Sequence, residues 1–437
     1  MFSLALLAFS LRSWAKDAPE LEPLTHPEEN WSIHYQITSV TQGDGPFHSP
    51  YSGENSLSSN GELRTSMTTT LFLGRRLWRG AEIYFNPEIS AGQGLSLTHG
   101  VAGFPNGEVF RVDTQIPRLN LARLYLQQVI GFDASQITYV EPNENQLATK
   151  IEGKHLLLIG GKFSLNDFFD NNRYAHDPRT QFLNWSMMDN GAWDYAADTR
   201  GYTWGFVVGY QTERWAVRFA PALVPTSANS LDMDLNIAQA RGDNLEGEVL
   251  YAIGERPGVA RLLAYANHAH MGSYAETLAN PAYAMDITQT RQYRTKYGLG
   301  LNMEQEITPE LGAMLRIGWN DGKTESWTFT EVDRTFSLGI SWNGTRWKRP
   351  ADYFGLAGIW NGISKDHADY LASGGLGFIL GDGRLTYAPE QILETYYLFT
   401  VIDGFNASLD YQFVKNPGYN QDRGPASIYA LRLHYEF

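Results

Sequence analysis

Apolar and polar residues alternate with a period of two in block after block along most of this chain. That pattern limits the possible folds more than any other feature. The blocks run to about ten residues, the length at which a β-strand crosses a bilayer at a tilt of about 45°. In Trp31–Thr38 one face carries Trp31, Ile33, Tyr35 and Ile37, and the other Ser32, His34, Gln36 and Thr38. In the 201–210 block Tyr202, Trp204, Phe206, Val208 and Tyr210 share the large face, opposite Thr203, Gly205 and Gly209. Nowhere after the N-terminus do the roughly 18 consecutive apolar residues of a transmembrane helix occur. A chain of this kind enters a membrane only as a closed barrel, which alone among sheets satisfies every backbone group in lipid.

The alternation places strands near 31–41, 62–75, 80–91, 118–130, 153–164, 200–211, 214–222, 245–254, 258–268, 295–304, 311–320, 331–343, 352–363, 390–402, 405–415 and 427–437. This predicts an all-β, antiparallel transmembrane barrel of about sixteen strands, an even number as in bacterial barrels. Loop lengths support it independently, because short links at 77–79, 212–213, 255–257, 305–310, 344–351 and 403–404 interleave with long ones at 91–117, 164–200, 223–244, 269–294 and 364–389. The segment 131–152 breaks the rule, being long where a short turn is expected. A soluble sandwich or propeller would also alternate, but the repeat of about 40 to 50 residues that marks propellers is missing.

The N-terminus opens with the apolar run Met1–Leu11, followed by Ser13-Trp14-Ala15, which has small residues where a signal peptidase reads. Arg12 lies after the run, where a leader's basic residues would precede it. The expected organisation is a signal peptide at 1–15, a short periplasmic segment at 16–30 and one barrel domain at 31–437. In the last strand Tyr429, Leu431, Leu433, Tyr435 and Phe437 fall on one face, and Ala430, Arg432, His434 and Glu436 on the other. A strand ending the chain on an aromatic resembles the signal read by the outer-membrane assembly machinery.

Composition removes other functions. There is no cysteine, so thiolate metal sites and cysteine nucleophiles are excluded. A formal charge of -14 without a basic stripe argues against nucleic acid. His268-Ala-His270 lacks a third ligand at metal-site spacing, and Gly298-Leu-Gly300 lies inside an alternating strand without the rest of a dinucleotide fingerprint. No cofactor, metal site or catalytic constellation is expected.

The most distinctive stretch runs from Gly161-Lys-Phe-Ser-Leu-Asn-Asp-Phe-Phe-Asp170 through Asp177-Pro-Arg179 and Trp185, then Asp189-Asn-Gly-Ala-Trp-Asp-Tyr195 and Asp198-Thr-Arg-Gly-Tyr-Thr-Trp-Gly205. It resembles the hallmark of the carbohydrate-selective porins of the OprB family, and the late Lys415-Asn-Pro-Gly418 and the C-terminal strand fit as well. The resemblance implies passive diffusion of small sugars across the outer membrane of a Gram-negative bacterium, with outer-membrane lipid and lipopolysaccharide as surroundings. It also implies that the loop after the fifth strand folds inward and constricts the pore. Two other readings are a barrel with an occluded lumen serving adhesion or structure, and a barrel enzyme acting on lipid or polysaccharide.

A sugar-selective constriction needs planar charged groups for paired hydrogen bonds and aromatics for stacking on ring faces. The inward loop offers Arg173, Asp177, Arg179, Trp185, Trp193, Asp194 and Arg200, and pleat parity adds Arg64, Arg218, Arg261 and Arg316 on the wall. Arg123, Lys162, Glu82, Glu246, Glu248 and Glu394 share that polar parity. The competing structural reading is that these charges hold the loop's shape while its aromatics form a small core of their own.

Overall fold

The computed structural model describes residues 28–108 and 115–437. The leader expected at 1–15 and most of the 16–30 segment lie outside the described residues. Eighteen strands follow in chain order: β1 (Trp31–Asp44), β2 (Glu62–Trp78), β3 (Ala81–Gly92), β4 (Arg118–Gly131), β5 (Ile137–Val140), β6 (Thr149–Glu152), β7 (His155–Phe163), β8 (Thr203–Gln211), β9 (Trp215–Ala222), β10 (Arg241–Ile253), β11 (Arg256–Met271), β12 (Gln292–Glu306), β13 (Leu311–Asn320), β14 (Arg334–Gly344), β15 (Arg349–Gly362), β16 (Glu390–Ile402), β17 (Phe405–Lys415) and β18 (Ala426–Glu436). All but β5 and β6 form one closed antiparallel barrel, so the barrel has sixteen strands.

Closure is made by β1 on β18, in register from Gln36 opposite Glu436 to Asp44 opposite Ile428. It is completed by Tyr35 and Phe437, whose backbone N–H groups each donate to the other's carbonyl at 3.1 Å. Among the described residues no helix is long and apolar enough to span a membrane. The strands do the crossing, and the ladder leaves no edge unpaired.

Side-chain exposure follows the predicted parity. On β18 Tyr429, Leu431, Leu433 and Tyr435 face outward, while Ile428, Arg432 and His434 are buried inside. On β8 Trp204, Phe206 and Val208 face outward and Thr203 and Val207 inward. Tyr202 departs from expectation. It precedes β8, follows a turn at Gly201 (φ 93°), and is buried on the lumen side.

Strand limits differ from the sequence reading mainly where a loop dips inward. The strand expected from 331 begins at Arg334, so Glu331 and Asp333 belong to a buried loop, and the strand expected from 200 begins at Thr203. The long segment 131–152 contains the hairpin β5/β6, which lies on the short-turn side of the barrel.

The lumen is filled mainly by loops from the opposite end. Residues 182–199 are buried throughout, as are 101–108 and 324–333. Trp185 stacks on Phe104 of one neighbouring loop at 5.0 Å and on Phe329 of another at 5.1 Å, and Tyr195 stacks on Phe329 at 5.0 Å. Three loops thereby share one aromatic core.

Parity yields a stability test. Leu409 stands near the middle of β17 on the outer face, 59% exposed to the surroundings. Leu409→Arg should destabilise the barrel by about 2–4 kcal/mol, the cost of a cation near the bilayer midplane. Denaturant unfolding in lipid vesicles measures it.

Candidate functional site: a charged conduit beside the inward loop

The loop joining β7 to β8 is fastened to the β10–β18 side of the barrel by buried charge. Arg316 on β13 is fully buried and points into the lumen. Its Nε pairs with Asp170 Oδ2 at 2.8 Å, Nη1 donates to the Met187 carbonyl at 2.6 Å, and Nη2 donates to the Asp170 carbonyl at 3.0 Å. On β18, Arg432 Nη1 donates to the carbonyls of Pro178 at 2.6 Å and Gln181 at 2.7 Å. Glu394 on β16 accepts from the Leu183 and Asn184 N–H groups, and Glu246 on β10 accepts from the Asp170 N–H at 2.7 Å. Gly300 and Gly318, on the inner faces of β12 and β13, leave room for Asn190 of the loop; a Cβ on Gly318 would collide with its Oδ1.

Several residues expected at a sugar contact serve this fastening instead. Trp185 and Trp193 are fully buried in the aromatic core, with no face left for a sugar ring, and Trp193 Nε1 donates to Asn244 Oδ1 at 3.0 Å. Asp194 is likewise buried. Its carboxylate accepts from the N–H groups of Trp327, Thr328 and Phe329 at 2.7, 2.8 and 3.2 Å, which holds the 321–333 loop inside. Arg261 bridges Glu248 at 2.8 Å and Glu304 at 3.2 Å within the wall. Arg173 pairs with Glu306 at 3.5 Å. Arg64 is exposed at the outer rim beside Glu62, at 2.9 Å, away from any constriction. Arg316, expected as a wall contact for sugar, has its guanidinium committed to the loop.

The remaining four, Asp177, Arg179, Arg200 and Arg218, line one cavity of about 360 Å³. It runs between the inward loop and the β2–β9 half of the wall, and its lining brings together seven carboxylates and four guanidiniums. Arg179 sits between two acids from different elements, with Nε 3.2 Å from Glu108 Oε1 and Nη1 3.7 Å from Glu144 Oε2. Asp177 accepts from the Arg179 N–H at 3.0 Å and the Thr180 hydroxyl at 2.7 Å, which shapes the turn that presents Arg179. Arg218 Nη1 lies 3.1 Å from Glu246 and 3.4 Å from Glu248. Arg123, on the polar parity of β4, grips Asp167 with two N–H groups at 2.8 and 2.5 Å and lies over the Tyr202 ring at 5.4 Å. The Tyr202 hydroxyl donates to Glu88 at 3.0 Å.

Glu88, Glu108, Glu144, His176 and Tyr202 were not picked out from the sequence. Glu88 carries the same parity as Glu82 and was readable. Glu144 lies in the one connection that broke the turn rule, so loop length was its signal. Glu108 and His176 sit in irregular loops and carry none.

The His268-Ala-His270 pair faces outward at the rim, packed against Tyr293 with ring centroids 5.9 and 5.4 Å away.

Burial also raises the Glu144 carboxyl, to about 7. Arg179 and Arg123 oppose the shift, while Asp177 and Glu436 add to it.

Removing the Arg316 anchor strands Asp170 in the lumen. Breaking a buried ion pair from one side costs about 3–5 kcal/mol. Arg316→Ala should lower the thermal unfolding midpoint and expose residues 164–202 to protease, read by melting curves and limited digestion.

Comparison with known proteins agrees with this architecture. The model of the carbohydrate-selective porin, OprB family, matches residues 54–437. The high-pH structure of OprB from Pseudomonas putida superposes with a TM-score of 0.71 at 16% identity, covering 93% of this chain and 94% of that one. The low-pH structure of the same protein gives 0.51 at 12% identity, covering 93% of each chain. No curated protein sequence matches the chain. With a closed sixteen-strand barrel, an inward loop and a family match over most of its length, this chain belongs to the OprB family of carbohydrate-selective porins and is a sugar-selective channel of the Gram-negative outer membrane.

Proposed function

We propose that small sugars cross through the cavity between the inward loop and the β2–β9 wall, and that Arg123, Arg179, Arg200 and Arg218, with Glu88, Glu108 and Asp177, supply the hydroxyl contacts. The observation that carries this reading is Arg179, suspended between Glu108 and Glu144 inside the cavity. A guanidinium has five N–H donors. Among the described residues, Nε and Nη1 of Arg179 engage the two acids, which leaves Nη2 for a hydroxyl. A sugar presents vicinal hydroxyls that both donate and accept, so alternating guanidiniums and carboxylates match it where a pore of one sign would not. Tyr202 and Tyr125 also border this lining, Tyr202 with its ring under the Arg123 guanidinium. Each contact is shared with an internal partner, which keeps binding weak enough for release, as conduction requires.

On this reading no covalent step occurs. The outward aromatic and aliphatic faces suit outer-membrane lipid and lipopolysaccharide. The strand ending at Phe437, paired with β1, is the segment that the assembly machinery would read before closure.

Swelling of proteoliposomes driven by glucose, against amino acids of similar size, tests the reading. Equal permeation of both would overturn it. Arg179→Ala and Arg123→Ala should each weaken glucose block of ion current about tenfold, the value of a charge-assisted hydrogen bond; unchanged block in both would remove them from the path.

The excess of carboxylates predicts cation preference in a salt gradient. Glu144, with its carboxyl raised to about 7, is neutral below that pH and anionic above it. Cation preference should therefore rise from pH 6 to pH 8, and Glu144→Gln should flatten the rise, as read from reversal potentials.

A further inference from the structure

The connection from β4 to β7 spends over twenty residues where the barrel needs two or three, and it spends them on an ordered device. The base of the β5/β6 hairpin is fixed by the Phe132 N–H donating to the Lys154 carbonyl at 2.9 Å and the Gly153 N–H to the Gln136 carbonyl at 2.7 Å. Val140, Leu147 and Ala148 are buried, Leu147 fully, and its N–H donates to the Tyr84 hydroxyl at 3.3 Å inside the barrel. The chain just ahead of β1 straps the hairpin down. Glu29 N–H donates to the Ala148 carbonyl at 2.9 Å, Ala148 N–H donates to Glu29 Oε2 at 3.0 Å, and Arg76 binds both Glu28 and the Ala148 carbonyl.

What the strap holds in place is a polar tip. Asn143 and Gln146 exchange backbone hydrogen bonds at 3.0 and 3.1 Å, and Asn145 takes the left-handed conformation (φ 52°) that closes the turn. The four residues Asn143, Glu144, Asn145 and Gln146 all line the conduit. Glu144 then meets Arg179, which belongs to a loop coming from the opposite end of the barrel. A spacer or a hydrophobic plug would need no run of three amides and a carboxylate turned to the lumen. Those groups both donate and accept hydrogen bonds, as hydroxyl recognition requires.

We propose that the 132–154 hairpin is the periplasmic jaw of the selective constriction, and that its Asn143–Gln146 tip forms with Arg179 a sugar-hydroxyl subsite at the exit of the channel. This rests on the conduit reading above and adds that selectivity is built from both ends of the barrel.

Three preparations test it in planar bilayers and proteoliposomes, each first checked for heat-modifiable mobility as a folded barrel. The first replaces residues 134–151 with Asn-Gly. Conductance should rise and the preference for glucose over serine should fall; a folded variant with unchanged conductance and preference overturns the proposal. The second is Glu144→Ala, which should shorten glucose dwell in the pore about fivefold, as loss of one hydrogen bond predicts; an unchanged dwell time counts against the tip. The third is Glu144→Cys, which introduces the chain's sole thiol. A cationic methanethiosulfonate reagent should reduce current faster from the periplasmic side than from the outside, and glucose should slow the reaction. Complete labelling, verified by mass, without any change in current overturns the proposal even if the hairpin-less chain fails to fold. Failure of the wild-type chain to discriminate glucose from serine would sink the conduit reading instead, so the two failures are separable.

Discussion

Everything in this molecule follows from the closed hydrogen-bonded ladder. Lipid offers no partner to a backbone N–H or carbonyl, so β1 must find β18, and Tyr35 and Phe437 complete the seam. Once the seam is closed, pleat parity sends every second side chain to the inside. The lumen therefore receives Arg218, Glu246, Glu248, Arg261, Arg316, Glu394 and Arg432 whether or not the channel needs them. Buried charges are tolerable only when paired and hydrogen-bonded. The inward loop is the counterpart that pairs many of them, and the proposed path runs in the space that it leaves.

That division gives the barrel two unlike halves. The β10–β18 wall holds loop, with Arg316, Glu394 and Arg432 each taking main-chain groups. The β2–β9 wall faces the conduit. On the proposed path the pore is eccentric, and a charge's role depends on which side of the loop it lies. Arg218 and Arg261 sit on wall strands two apart and share Glu248, yet only Arg218 lines the cavity.

Barrel, strand number and inner and outer faces were legible in the sequence because period two is a local property and the turn rule is nearly so. Leu409 and the β18 residues face outward as alternation requires. The division of labour among inward residues was not legible. Trp185 and Asp194 look like sugar-binding groups in a linear reading. Their burial depends on Phe104, Trp327 and Phe329, which come from loops about 80 residues upstream and over 130 downstream. Tyr202 was misassigned because alternation continues through Gly201 in the sequence while the backbone there turns. Loop length marks the segment that carries Glu144, but its contact with Arg179 depends on the hairpin's return into the mouth, which no local pattern encodes.

The shared aromatic core of Phe104, Trp185, Tyr195 and Phe329 makes three outer loops a single interlocked body. These loops cannot change length independently, because an insertion in one would pull a ring out of a stack that the other two complete. Freedom to vary is left to segments outside the core, such as 235–239, which stand exposed on the loop between β9 and β10. On this barrel the outer surface can diversify there while the interlocked loops underneath keep their shape.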